Sequence, residues 1–185
     1  MFSKTDVQFH FAGQSSALVT PHSARGTDVP AQGSLSAALY AAERKWEFVA
    51  EQFWWGAEFG GPFTLIGAGG QAPDPNSPWK GGYQYFQIAI MSPEGGDVAV
   101  EVGKKYSLPH PNIYLAYGFA GKTPDRSDAV LVADLSHGAI TFSRIDPEAK
   151  HIAGEFHGHS EWDENWEGSL GHYETKMGRF DIRIL

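Results

Sequence analysis

The sequence predicts a mainly β protein, an antiparallel β-sandwich or barrel with one amphipathic helix near residues 34–50. Two observations lead there. Apolar residues alternate with polar ones in short runs along most of the chain, and clusters of Gly, Pro, Asn and Asp separate those runs at short intervals. No strand alternates with a helix in the βαβ manner, which excludes a doubly wound parallel sheet.

The runs appear in chain order. Val7, Phe9 and Phe11 alternate with Asp6, Gln8 and His10, which reads as a half-buried strand. Residues 13–33 read as loop, with Pro21 and Pro30 as breakers. The period then changes. Leu35, Leu39, Ala42, Trp46, Val49 and Phe53 recur at steps of four and three, with Glu43, Arg44, Glu47 and Glu51 facing elsewhere. That spacing predicts a helix, capped by Ser34 or Ser36 and firm to Lys45. Trp46, Phe48 and Ala50 also alternate, so a shorter helix followed by a strand through Trp54 fits as well.

Strands resume at Phe63–Ile66, which ends in Gly67-Ala68-Gly69-Gly70 and is followed by a long Gly/Pro loop. Phe86, Ile88 and Ile90 share one face of the next run. Val98, Val100 and Val102 make another, Ile113 to Phe119 a third, and Val130 and Val132 a fourth. Ile140 and Phe142 precede the turn Asp146–Lys150, and Ile152, Gly154, Phe156 and Gly158 follow it, so this segment is a β-hairpin. Phe180, Ile182 and Ile184 close the chain as a strand.

A length of 185 residues suits one domain, 1–185, large enough to bury a core without staples. There are no cysteines, which removes disulfides, thiolate metal sites and a cysteine nucleophile. The amino-terminal residues lack a cationic start followed by an apolar run, and no window reaches the ~18–20 apolar residues of a membrane span. A cytoplasmic location is expected, or a periplasmic one if a signal was trimmed. The net charge of −8 opposes binding to a phosphate backbone and favours a basic protein partner.

The last third carries an ordered series. Gly138-Ala139-Ile140-Thr141-Phe142 is followed by Ile145-Asp146, by Ile152-Ala153-Gly154-Glu155-Phe156, and by Gly178-Arg179-Phe180-Asp181-Ile182. The series resembles β-rich domains of bacterial surface lipoproteins, which close with a G-x-ITF … I-x-GxF … GxF-x-I pattern. Gly103-Lys104-Lys105-Tyr106-Ser107-Leu108 is similar to an upstream loop-to-strand element of those domains. The resemblance implies a fold and no catalytic residues. This chain departs from it in lacking the cysteine that takes the lipid.

The candidate chemistry begins with Glu155, His157, His159 and Glu161, which share one strand face because side chains alternate. Imidazoles two apart can bind a divalent metal such as zinc, with His172 as a third ligand and Glu164 or Asp163 as a carboxylate. Ile152, Phe156 and Trp162 would form the buried face. The plainer interpretation is a solvated strand near a sheet edge, where charge discourages strand addition. No other cofactor is expected. The spacing of His157, His159, Glu164 and Gly171 is similar to the first metal motif of cupins, but too few residues follow for the second half of that motif.

Two further motifs fail. Gly13-Gln14-Ser15-Ser16-Ala17 runs into Pro21 and cannot lead the helix of a nucleophile elbow, and Gly67–Gly70 lacks the Lys of a phosphate loop. Without a catalytic set, the sequence favours a binding protein over an enzyme. Trp54, Trp55, Trp79, Trp162 and Trp166, with Glu161 and Asp163, are the residues expected to meet a protein partner. A bacterial immunity or inhibitor protein that neutralises a basic partner fits these features. A ligand-carrying β-barrel is the third alternative.

Overall fold

The computed structural model describes residues 31–41, 44–50, 52–56, 63–71, 83–90, 100–123, 126–146, 148–161 and 172–184. Among them are ten strands and no helix. The strands are β1 (Ala31–Ala41), β2 (Arg44–Val49), β3 (Gln52–Gly56), β4 (Phe63–Gln71), β5 (Tyr83–Ile90), β6 (Lys105–Leu108), β7 (Ile113–Thr123), β8 (Arg126–Asp146), β9 (His151–Glu161) and β10 (His172–Ile184). They form one antiparallel sheet in the order β2-β1-β10-β9-β8-β7-β5-β4-β3, with β6 paired to β8. Among the described residues the sheet curls strongly into a half-barrel.

The chain path requires that curl. β2 and β3 stand at opposite ends of the strand order, yet only residues 50 and 51 separate them in sequence. Three virtual bonds of 3.8 Å cannot span more than about 11 Å. The two ends of the sheet are therefore held together, and β1 approaches β3 while β2 approaches β4. The Ala50 amide, donating to the Leu35 carbonyl at 2.8 Å, fixes the start of the crossing.

The helix expected over 34–50 is not present. Residues 31–41 and 44–49 are β1 and β2, paired antiparallel from Ser36↔Val49 to Ala41↔Arg44. The misleading signal is arithmetic. Leu35 and Leu39 are four apart, an even number, so one strand face satisfies the spacing as well as a helix does. The deciding residues are Ala37, buried between them, and Trp46, Phe48 and Ala50, all buried in strand alternation. Val49, which the helical pattern makes apolar and inward, is 54% exposed.

Two smaller expectations also change. Val102, expected in a strand with Val98 and Val100, stands in a turn and is 56% exposed, and Val98 lies outside the described residues. β4 runs through Gly67–Gly70, which looked like loop, because pairing with β5 from Phe63↔Ile90 to Gln71↔Tyr83 carries it. The expected strand at 6–11 lies outside the described residues. The hairpin of β8 and β9 is present, from Asp146↔His151 inwards, and the Asp146 carboxylate accepts the Ala149 amide at 2.9 Å in its turn.

The inner face is filled by large rings. Phe86 packs against Phe48, Tyr117 and Phe156 with centroids 5.0–5.1 Å apart. One polar knot lies among them: the Gln84 side-chain carbonyl accepts from Trp46 Nε1 at 3.0 Å and from the Tyr117 hydroxyl at 2.6 Å. β5 is buried on both faces, as a central strand can be, since Tyr85, Gln87 and Ala89 are covered as fully as Phe86 and Ile88.

The glycines of the carboxy-terminal series have a packing role. Gly154 stands opposite both Phe142 and Phe180, and Gly178 stands opposite Phe156. A Cβ on Gly178 would meet the Phe156 ring at 2.5 Å, and one on Gly154 would meet the Thr141 backbone and the Phe180 ring. The repeated Gly and Phe of the pattern thus interlock across β8, β9 and β10. Gly178→Ala is expected to lower stability by about 1–3 kcal/mol through overpacking, as read by urea unfolding.

Candidate functional site

β9 lies between β8 and β10 in the middle of the sheet, so its His/Glu face is not beside an edge. Ile152 and Phe156 are buried, while Glu155, His157 and His159 are exposed on the outer face. Alternation alone produces this split. Glu161 ends β9 and pairs in register with His172, the first residue of β10.

The pairing of β9 is irregular on both sides at the same height. Against β8 the register shifts between Ser136↔His159 and Ala139↔His157. Against β10 it shifts between Thr175↔Gly158 and Gly178↔Phe156. Each bulge contains a non-glycine residue in the left-handed region followed by a glycine: His137 (φ 51°) before Gly138, and Met177 (φ 52°) before Gly178. Such a conformation costs about 1–2 kcal/mol for a residue with a Cβ. In both bulges the strained side chain is exposed, and Met177 is 67% exposed. The glycines after them cannot carry a side chain, because β9 lies against them: His157 and Gly158 approach Gly138, and Phe156 covers Gly178.

The β10 bulge opens a shallow groove of about 440 Å³ on the outer face, bordered by Glu155, His157, His159, Glu174, Lys176 and Arg179. One end is internally neutralised. Lys176 Nζ lies 2.9 Å from Glu174 and 4.9 Å from the centre of the Tyr40 ring, and His159 Nε2 lies 4.0 Å from Glu174. The hydrogen bond to Glu174 raises the Lys176 ammonium above its ordinary value, so Lys176 stays charged at neutral pH. At the other end Arg179 faces Glu155 in register, and among the described residues neither forms an ion pair. On the β8 side, His137 Nδ1 lies 3.1 Å from the Ser136 hydroxyl.

The sequence-derived ligand set is only partly brought together. His157 and His159 share the groove, His172 begins the neighbouring strand, and Glu164 lies outside the described residues. Among the described residues no three His, Asp or Glu side chains converge as metal ligands. Of the expected partner-binding residues, Trp54 and Trp55 belong to β3. Trp79, Trp162, Asp163 and Trp166 lie outside the described residues.

His137, Met177 and Arg179 were missed in the sequence. The sequence holds one partial signal for Met177: the apolar phase is odd at Tyr173 and even at Phe180 and Ile182, so a continuous strand through them requires an inserted residue. Among the described residues no helix is long and apolar enough to cross a membrane. Compared with protein-family models, with curated proteins and with solved structures, the chain matches none.

Proposed function

We propose that the chain is a non-enzymatic protein-binding domain that holds a basic partner on the outer face of β9 and β10, in the manner of an immunity or inhibitor protein. Met177 carries the proposal. It combines an unfavourable backbone conformation with the exposure of a long apolar side chain at the centre of a charged groove. Neither feature stabilises the fold, and strain retained at an exposed bulge is where binding sites concentrate. A polarisable thioether ringed by ionic groups has the apolar-centre, polar-rim layout of a docking surface. The net charge of −8 supports a basic partner by electrostatic steering.

The test is affinity capture from the native host. A partner is expected to be retained at low salt and released at high salt. Met177→Gly, which removes the side chain and the strain together, is expected to weaken capture about tenfold or more while stability holds or rises by up to about 1 kcal/mol. Val102→Ser, at an exposed turn valine away from the groove, is the control and is expected to capture normally. Undiminished capture by Met177→Gly would refute the site.

A second reading, a divalent metal such as zinc on this face, draws on His157 and His159 standing two residues apart on one strand with Glu174 beside His159. Its check is metal content. Stoichiometric zinc in the purified protein, lost in the His157→Ala/His159→Ala double variant, would establish it and displace the protein-binding proposal.

A further inference from the structure

We infer that the outer face of β9 and β10 also docks onto a second copy of this chain, forming a two-fold dimer. The inference rests on the same proposal that this face is an interaction surface, and it adds a specific occupant. The argument comes from register. Arg179 on β10 stands opposite Glu155 on β9, and Glu174 on β10 stands opposite His159 on β9, with the Met177 bulge between these two rows. Consider two copies facing each other across a two-fold axis parallel to the strands and midway between β9 and β10. The rotation exchanges β9 and β10 without moving any residue along the strand direction. Each β10 residue then lies over the β9 residue that is its register partner in its own chain.

The consequence is self-complementarity. Arg179 of each copy meets Glu155 of the other, Glu174 meets His159, and the Lys176–Met177 bulge lies over the stretch of β9 around His157. Like charges are not brought together in either row. Arg179 and Glu155 are the two ionic side chains of the groove without an intramolecular ion pair among the described residues, so the dimer supplies what each lacks. Arg–carboxylate pairs also tolerate partial desolvation better than Lys pairs, through their planar fork. A face of this kind is what an isologous contact needs, since every contact is made twice. Two convex sheets touch over a strip only a few strands wide, and each copy carries −8, so the association is weak.

Sedimentation velocity of the purified protein over a wide concentration range tests the dimer. The wild type is expected to shift from monomer towards dimer as concentration rises. Arg179→Glu and Glu155→Arg are each expected to remain monomeric, because each doubles one sign in both contacts. An equimolar mixture of the two variants is expected to recover dimer, because every contact then pairs opposite charges. Both substitutions are at exposed strand positions, and circular dichroism shows that the variants are folded. A wild type that stays monomeric at the highest concentration overturns the dimer and leaves the proposal of a different partner on this face standing. Dimerisation that survives either single variant, or a mixture that fails to recover it, overturns this face as the dimer contact.

Discussion

Phe156→Ala is expected to lower the unfolding free energy by about 3–5 kcal/mol, enough to unfold a marginally stable domain. The side chain is 2% exposed, its ring packs 5.1 Å from Phe86 and 6.2 Å from Phe180, and it covers Gly178. Gly178 has no side chain with which to fill the vacated space. The hole would be lined by Phe86 and Phe180, rings that cannot close it without leaving their own contacts. Phe156→Leu keeps most of the volume and is expected to cost much less. Urea unfolding of the two variants measures the difference. A loss under about 1 kcal/mol for Phe156→Ala would show that the Gly–Phe interlock is not what holds β9 to β10.

Gln84→Leu is expected to cost about 2–4 kcal/mol even though it makes the interior more apolar. Gln84 is 2% exposed, and its carbonyl oxygen accepts from both Trp46 Nε1 and the Tyr117 hydroxyl. Removing the acceptor leaves the indole N–H of Trp46, itself 1% exposed, without a partner at that position. A double-mutant cycle isolates the effect. In a Trp46→Phe background the same Gln84→Leu substitution is expected to cost at least about 1 kcal/mol less, because one donor has gone. Equal costs in the two backgrounds would mean that the hydrogen bond contributes nothing.

The β class and the antiparallel pairing were readable because alternation survives in many elements. The strand count was not, since β1 and β2 read as a helix and β8 as two separate runs. Phe86/Ile88/Ile90, Ile113/Leu115/Tyr117 and Phe180/Ile182 each report one buried face. Failure came where alternation and helical spacing agree at the same residues, as at Leu35 and Leu39. It came again where small residues hide the face, as at Gly67–Gly70. For the groove, one strand sufficed: Glu155, His157 and His159 were placed on an outer face by parity alone. The other wall, Lys176, Met177 and Arg179, was not legible in the same way. It depends on a bulge, and a bulge is set by what the neighbouring strand leaves room for. Phe156 lying on Gly178 displaces the register, and that contact joins residues more than twenty apart in sequence.

The strand order also has a temporal consequence. β1 finds one of its two neighbours in β10, with Ala31 paired to Ile184, so an early strand lies beside the last one. During synthesis β1 and β2 can zip into a hairpin at once, but β1 keeps a bare edge until residues 172–184 have been made. Contacts of such long sequence separation slow folding, to milliseconds or seconds in comparable β topologies. In that interval the nascent chain displays an unsatisfied row of backbone donors and acceptors, the feature that recruits chaperones or draws chains into aggregates.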